Sequence, residues 1–476
     1  MNYKIPVKEF LDQSKNGNID YQDFTQKFFE ELKKINKKYN YLITTAKPEK
    51  NKPKENLSGL PISVKDNICT KNLRSTAGSG ILENYIPVFD ATSVERIKTQ
   101  NGLIIGKTAM DEFGFGTFST NCAFGTPKNP YDKNRSCGGS SGGAAGLTAA
   151  LEYPHIALAE STGGSISCPA SFCGVVGLTP TYGLVSRYGL IDYANSLDKI
   201  GCIGKCVWDV ALLLSIIAGY DSRDSTSLNE KSIDYIKDIE DRLKKVKIGI
   251  PKEYFKNIDK QVEKVAWQAI KKLEDNGFDY KEFSLPTTKF ALSSYYIIAC
   301  AEASTNLAKF CGLRYGLHEK LEGNFNEYFS KIRTKGFGEE AKRRIILGTF
   351  ARMAGYREKY YLQALKVRTL IINEFKKAFR KFDCIIAPTM PILPPLFSDI
   401  KKLSPLENYQ CDVLTVPANL AGIPHLSIPC GFAFDRSVKL PVGLHVLGNY
   451  LQEERLLQIG NTVEKILNLN ISKTKY

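Results

Sequence analysis

The chain has 476 residues, of which 43% are hydrophobic and 24% are charged, and this composition excludes a disordered protein. The first ten residues contain no apolar run, and the longest apolar stretch, at 210–219, is too short to span a bilayer, so we expect a cytoplasmic protein without membrane contact. The net charge of +15 permits a nucleic-acid partner but does not establish one, because lysines on solvated helix faces give the same balance.

The twelve cysteines and four histidines are scattered along the chain, with no CxxC pair. The closest cysteine pairs, Cys168/Cys173 and Cys202/Cys206, have no histidine nearby at the spacing of metal ligands. This distribution favours reduced, mostly buried thiols over a zinc or iron–sulfur site.

The predicted elements begin with an amphipathic helix at 20–40, where apolar residues recur at helical spacing. A loop rich in Lys, Pro and Asn follows at 46–56. We therefore divide the chain into an N-terminal helical segment, 1–50, and a single large domain, 51–476.

Short apolar runs bounded by turns predict three buried strands, with helical patterns between them, and this alternation is typical of an α/β core. These runs lie at 60–64, 102–107 and 155–160. A polar connection is expected at 221–246, a β-α-β unit at 246–286 and a largely helical region at 287–380. The chain then returns to strands at 382–391, 425–432 and 440–448 and ends in a helix near 452–468.

Two Gly/Ser-rich stretches are the most informative part of the sequence: CGGSSGGAAG at 137–146 and ESTGGSISCPA at 160–170. Glycine lets the backbone adopt positive φ and approach a bound group, and successive N–H groups in such turns form anion-binding concavities. A lone GGSSGG would be interpreted as a flexible linker. Two such loops on either side of an Ala-rich helix and an apolar strand favour a binding or catalytic site instead.

A serine in either loop would need a base to act as a nucleophile. None of the four histidines lies in a recognisable nucleophile motif and there is no GxSxG elbow, although a distant histidine could still complete a Ser–His triad. Lys65, in LPISVKDN (60–67), directly follows a predicted strand. Burial can lower a lysine pKa by up to ~3–5 units and so give a neutral amine, but spacing alone equally fits a lysine with its head in water.

In this order, LPISVKDN, GGSSGG and TGGS resemble the amidase signature family. The resemblance implies an α/β/α fold with a large central mixed β-sheet flanked by helices, catalytic motifs within 60–190, and substrate-side helices at about 287–380. It also implies a Ser–cis-Ser–Lys triad, with Ser165 as nucleophile, Ser140 as the bridging serine beside a cis peptide and Lys65 as base. The implied oxyanion hole consists of the backbone N–H groups of Thr162, Gly163, Gly164 and Ser165.

Further stretches resemble the A subunits of glutamyl-tRNA(Gln) amidotransferases, over roughly 55–450; they lie at 106–116, 173–190, 195–201, 218–227, 342–350 and 412–431. This resemblance implies a glutaminase that releases ammonia for transamidation of misacylated Glu-tRNA(Gln), or of Asp-tRNA(Asn). It implies that Arg344 and Asp412 bind the α-carboxylate and α-amino groups of glutamine. The alternative for Arg344 is a surface cation beside Lys342 and Arg343.

The same resemblance implies no cofactor in this chain and a complex with other subunits. ATP and Mg²⁺ would be used by the B subunit, which is the kinase and tRNA-binding partner, and a small C subunit would bridge the two. Misacylated tRNA would be met mainly through the B subunit.

Two residues depart from the family pattern: Ser161 and Ser167 stand where many members have an aspartate and an arginine. No triad member is lost, but these two departures predict that the contacts fixing the TGGS loop differ from those of the commoner form. A second stretch, NGLIIGKT (101–108), resembles a phosphate-binding loop but has one residue too few between its glycines and is predicted to be a strand.

Two rival interpretations remain. The chain could be a stand-alone amidase acting on another amide, which glutaminase activity that rises with the B subunit and tRNA would exclude. It could also be a non-catalytic RNA-binding or scaffold subunit, as the charge suggests, although the set of Lys65, Ser140 and Ser165 speaks against that.

Overall fold

A mixed sheet of eleven strands crosses the molecule in the computed structural model, which describes residues 2–48, 55–241, 243 and 245–469. The strands are β1 Leu42–Thr45, β2 Pro61–Lys65, β3 Leu103–Thr108, β4 Ile156–Ser161, β5 Val176–Thr179, β6 Lys199–Gly204, β7 Val246–Pro251, β8 Phe278–Phe283, β9 Cys384–Pro388, β10 His425–Asp435 and β11 Val438–Leu447. Their order in the sheet is β1-β3-β2-β4-β6-β5-β10-β11-β9-β7-β8. Parallel pairs surround β2 and β7, and antiparallel pairs lie between these two groups and at the β1–β3 edge.

Helices cover the sheet. They are α1 Val7–Lys15, α2 Tyr21–Tyr39, α3 Thr92–Thr99, α4 Gly142–Ala150, α5 Ser167–Cys173, α6 Val207–Ile217, α7 Lys260–Glu274, α8 Ala291–Asn306, α9 Phe325–Gly336, α10 Glu339–Arg352, α11 Tyr361–Ala378, α12 Phe397–Ile400, α13 Pro405–Gln410, α14 Val416–Ala421 and α15 Glu453–Leu467. Among the described residues, none of these helices is both long and apolar enough to cross a membrane.

The two faces of the sheet bury different clusters, as the alternation along β9 illustrates. Cys384 and Ile386 belong to one hydrophobic cluster, and Ile385 and Ala387 belong to the other. The first cluster includes side chains of α1, α2, α6, α7 and α15, and the second is built largely from α8 to α11 and α14. Successive strand residues point to opposite faces of the sheet. Because helices cover both faces, the strand is apolar throughout. The α/β/α architecture is confirmed.

The N-terminal helices pack against the same core as the sheet. Phe10, Phe24 and Phe28 are fully buried in the first cluster, and β1 pairs with β3 at the edge of the sheet. The predicted loop at 46–56 and the boundary at residue 50 fall on or next to residues 49–54, which lie outside the described residues.

Most sequence-predicted elements are confirmed. The amphipathic helix is α2, the β-α-β unit is β7-α7-β8 with parallel strands, and 287–380 contains α8 to α11. Six of the eight residues of the NGLIIGKT stretch form β3, a buried strand and not an open loop.

Candidate active site

The residues of the predicted triad meet at one edge of the sheet because of how β2 and β4 pair. These strands are parallel neighbours, so their carboxyl ends lie side by side. Lys65 is the last residue of β2, and the TGGS loop follows β4 and leads into α5. Ser140 lies just before α4, which packs on the same strands.

Lys65 and Ser140 are in direct contact. Lys65 Nζ lies 2.7 Å from Ser140 Oγ, and the Gly139–Ser140 peptide bond is cis, as the resemblance implies. Ser165 is held next to them by a backbone hydrogen bond of 3.2 Å from the Ser141 N–H to its carbonyl. Lys65 and Ser140 are completely buried, whereas Ser165 is 6% exposed. Ser165 is therefore the member of the set that a substrate can reach.

The Gly/Ser loops are held by close packing. Gly138 has φ of +77°, and a Cβ there would lie 2.8 Å from the Cα of Pro169 on α5. Glycine is thus required where the GGSSGG loop packs on the start of α5.

The neighbouring segment of Ser119 and Asn121 is fixed by Asp111. Its carboxylate accepts their backbone N–H groups at 2.8 and 3.0 Å.

The TGGS loop presents its backbone N–H groups. Those of Thr162, Gly163, Gly164 and Ser165 donate no hydrogen bond to any residue within the described ranges. A Cβ on Gly163 would lie 2.7 Å from the Tyr295 hydroxyl, so this tyrosine packs directly on the loop. Successive unpaired N–H groups can stabilise a developing oxyanion.

A buried carboxylate that the sequence interpretation missed faces Lys65. Glu160 Oε2 lies 2.9 Å from Lys65 Nζ, and the Glu160 carbonyl accepts from the same amine at 2.8 Å. Burial lowers the pKa of Lys65, and the Glu160 charge opposes part of that shift. Glu160 in turn contacts Thr162, which also contacts Asp198. A charged residue at the end of the otherwise apolar IALAE strand was the signal for it.

Arg344 and Asp412 lie close to the TGGS loop and are joined through Tyr296. Thr415, which packs on Gly164, donates to the Asp412 carbonyl at 3.1 Å. The Tyr296 hydroxyl donates to Asp412 Oδ2 at 2.6 Å, and its ring lies 5.2 Å from the Arg344 guanidinium carbon. Arg344 is buried, whereas the side chain of Arg343 is 40% exposed, so the inward-facing arginine of this pair is Arg344.

Aromatic rings and hydrogen bonds fix these two charges. Arg344 donates from Nε to Glu340 at 2.8 Å and from Nη1 to the Tyr193 hydroxyl at 2.5 Å. In the part of the chain that the structure describes, its Nη2 donates no hydrogen bond. Burial raises the pKa of Asp412 to about 6, against hydrogen bonds from Tyr296 and Thr117 that lower it. No sequence motif pointed to Tyr296 and Thr117, because their contacts depend on distant helices.

The two departures from the family pattern have partners of their own. Ser167, at the start of α5, lies 3.2 Å from His425 Nδ1, which lies 2.9 Å from His445 Nε2. Ser161 Oγ donates to the Gly163 carbonyl at 3.4 Å. Ser167, His425 and His445 therefore form a cluster that fixes the start of α5, directly after the TGGS loop.

Comparison with known proteins decides the family. The family model described as Amidase matches residues 6–457 of this chain. The chain belongs to this family. Its relatives in that family include the A subunit of glutamyl-tRNA(Gln) amidotransferase from Methanococcoides burtonii, which is 50% identical over 86% of this chain and 85% of its own length. The protein of the same name from Halothermothrix orenii is 43% identical over 99% of both chains.

A solved structure supports the same family assignment. The crystal structure of the glutamyl-tRNA(Gln) amidotransferase A subunit from Thermotoga maritima superimposes with a TM-score of 0.83 at 36% identity, covering 98% of this chain and 95% of that one. Other amidases, such as a 6-aminohexanoate cyclic dimer hydrolase, share the fold at 20% identity with a TM-score of 0.86.

Proposed function

We propose that this chain is the glutaminase subunit of a tRNA-dependent amidotransferase, which hydrolyses the side-chain amide of glutamine to glutamate and ammonia. The observation that carries the choice of substrate is the pair Arg344 and Asp412, two opposite charges that share Tyr296 beside the TGGS loop. A free amino acid carries one carboxylate and one ammonium group, and this pair offers a complement to each. The names of the relatives support the same assignment.

The proposed reaction uses the amine and the two hydroxyls as one proton relay. Neutral Lys65 accepts the Ser140 proton while Ser140 accepts that of Ser165, whose oxygen attacks the amide carbon of glutamine. The oxyanion is stabilised by the free N–H groups of the TGGS loop. The proton returns through Ser140 to the nitrogen, the C–N bond breaks, and ammonia leaves a glutamyl ester on Ser165. Water then hydrolyses the ester by the same relay.

We further propose that ammonia passes to a partner, the B subunit, which uses ATP and Mg²⁺ to amidate misacylated tRNA, with a small C subunit bridging the two. The chemistry assigned to this chain needs no cofactor of its own. The twelve free thiols are compatible with work in the cytoplasm.

Glutamine hydrolysis by the chain alone and with the B and C subunits tests this function. We expect activity that Ser165→Ala abolishes and that the partners and tRNA increase. Butyramide, which has the same primary amide but neither charge, serves as the comparison substrate. If the wild-type chain cleaves butyramide as efficiently as glutamine, and partners change neither rate, the protein is a stand-alone amidase and the proposal is wrong.

A further inference from the structure

Glu160 lies on β4 between Lys65 and Asp198, and no step of the proposed reaction uses it. Its carbonyl and its Oε2 accept from Lys65 Nζ at 2.8 and 2.9 Å, and Oε2 also accepts from Asn67 Nδ2 at 3.0 Å. The side chains of Lys65 and Glu160 are 0% and 1% exposed. Burying a carboxylate this deeply is costly unless its charge is used by partners.

The contacts around Lys65 Nζ fix the direction of its lone pair. A neutral amine has two N–H bonds and one lone pair. Of the three groups around Nζ, the Glu160 carbonyl and carboxylate can only accept, whereas the Ser140 hydroxyl can also donate. The two N–H bonds therefore point to Glu160, and the lone pair points to the hydroxyl whose proton it must take.

Thr162 shows that Glu160 shares a proton with a second carboxyl group. Thr162 Oγ1 lies 2.8 Å from Glu160 Oε1 and 2.8 Å from Asp198 Oδ1. One hydroxyl proton can serve only one of these two contacts. The other contact must be donated by a carboxyl group, so the pair of carboxyls carries one proton and one negative charge.

Both carboxyl groups of this pair have further partners. Glu160 accepts from the amine of Lys65 and the amide of Asn67. Asp198 accepts from the backbone N–H groups of Tyr193 and Ala194 at 2.9 and 3.0 Å.

The charges around Lys65 act on it unequally. Burial lowers the pKa of Lys65, and the charges of Glu160, Asp111 and Asp198 oppose that shift, Glu160 most strongly. Glu160 is therefore the carboxyl group whose removal should change Lys65 most.

We propose that Glu160 is a positioning residue for the relay: its carbonyl and carboxylate oxygens accept the two N–H bonds of neutral Lys65 and so aim the lone pair of Lys65 at Ser140. When Lys65 takes the proton of Ser140, its new positive charge lies beside the carboxylate, which stabilises it. This inference rests on the proposed relay of Lys65, Ser140 and Ser165, and not on glutamine as the substrate.

Labelling of Ser165 by a fluorophosphonate, followed against pH on the full chain, tests the inference without any amide substrate. The rate should rise with pH as Lys65 becomes neutral. In Glu160→Gln the amide oxygen keeps one acceptor but the charge is gone, so we expect the rise to move to lower pH by about one unit or more. In Asp198→Asn the Glu160 carboxylate still contacts Lys65 Nζ, so we expect a smaller movement than in Glu160→Gln.

Glu453→Gln is the matched control, because Glu453 is a buried glutamate on α15 that accepts the Thr181 N–H away from the site. We expect its pH profile to coincide with that of the wild type. A Glu160→Gln profile that also coincides with the wild type would overturn the proposal. If Glu160→Gln does not fold, Glu160→Asp is measured instead, because it keeps the charge but shortens the side chain that reaches Lys65 Nζ. Slower labelling at high pH supports the positioning role, and a rate and profile equal to those of the wild type overturn it. A chain that is labelled at Ser165 but does not hydrolyse glutamine would refute the substrate and leave this test intact.

Discussion

Asp412 and Arg344 carry opposite charges inside the protein. The neighbours of each side chain fix its position and leave hydrogen-bonding capacity for a ligand. Asp412 accepts from Thr117 at 3.1 Å and from Tyr296 at 2.6 Å. Arg344 is surrounded by four aromatic rings, those of Phe115, Tyr193, Tyr296 and Tyr409. Packing of this kind fixes the guanidinium plane, so a carboxylate is met in a defined orientation.

The pKa of Asp412, about 6, predicts how glutamine binding depends on pH. Because burial raises this pKa, the carboxylate that an ammonium group requires is present above pH 6 and is lost as pH falls through that value. We therefore expect KM for glutamine to rise below pH 6. In Asp412→Asn, KM should be raised roughly 30-fold at neutral pH, since losing one partner of a buried charge pair costs about 2 kcal/mol or more. Steady-state kinetics from pH 5 to 8 would check this, and a wild-type KM that stays constant over the range would contradict it.

Arg344→Lys tests whether the planar fork of this arginine matters. Lysine keeps the charge but cannot donate two parallel hydrogen bonds or stack among the rings, so we expect KM for glutamine to rise about tenfold or more. Arg343→Lys is the matched control, because Arg343 is the adjacent residue and its side chain faces outward. Equal effects of the two substitutions on KM would show that Arg344 has no special role.

The residues that carry chemistry differ in how far the sequence alone predicts them. The resemblance to the amidase signature family, carried by LPISVKDN, GGSSGG and TGGS in that order, supplied Lys65, Ser140 and Ser165. The spacing of Lys65 alone fitted a solvated lysine equally well. Glu160 and Asp198 lie in the same or similar stretches, yet their roles depend on which atoms face each other across β4, and a sequence does not state that. Tyr296 is a further step away, since only the packing of α8 brings it to Asp412.

At the scale of elements, the charged pair depends on how closely α8 and α10 approach. α8 carries Tyr295 and Tyr296, and α10 carries Arg344. Their contact is made possible at Gly348, where a Cβ would overlap the backbone carbonyl of Cys300. The sequence pattern predicted a largely helical region at 287–380, but nothing in it specified where two of its helices would cross.

Gly348→Ala should therefore separate the two helices. Alanine raises helix propensity by about 1 kcal/mol, but overlap with a backbone carbonyl typically costs about 1–3 kcal/mol or more and cannot be relieved by a side-chain rotation. We expect a lower melting temperature and a higher KM for glutamine. The control is Gly460→Ala in α15, where the nearest atoms are the ends of the Leu426 and Ile428 side chains. A Gly348→Ala protein as stable as Gly460→Ala, with unchanged KM, would contradict this.

At the scale of the molecule, the strand order shows what local patterns leave open. The sequence patterns predicted eight of the eleven strands in the described residues, and not β1, β5 or β6. They left the strand order open: β9 lies between β11 and β7, and β3 lies between β1 and β2. Such neighbours are set by long-range packing, in which the N-terminal helices take part through aromatic contacts. Phe28, for example, packs edge-on against Tyr153 with ring centroids 5.8 Å apart.

Phe28→Ala tests whether the N-terminal segment and the sheet unfold together. Phe28 is fully buried, so its loss should lower the free energy of unfolding by about 3–5 kcal/mol. Calorimetry should show the main transition of the chain moving to lower temperature. Phe29→Ala, one residue on and only partly buried, should have a smaller effect. A separate early transition with an unmoved main one would mean that residues 1–50 fold independently.

The catalytic role of Ser165 is tested most directly by locating the covalent intermediate. Full-length protein turning over glutamine is quenched rapidly in acid, digested and analysed by peptide mass spectrometry. We predict a glutamyl ester on Ser165 in the wild type. Neither Ser165→Ala nor Lys65→Ala should give a detectable ester. A glutamyl group on another residue, such as the nearby Cys168, or turnover that persists in Ser165→Ala, would refute the proposed relay.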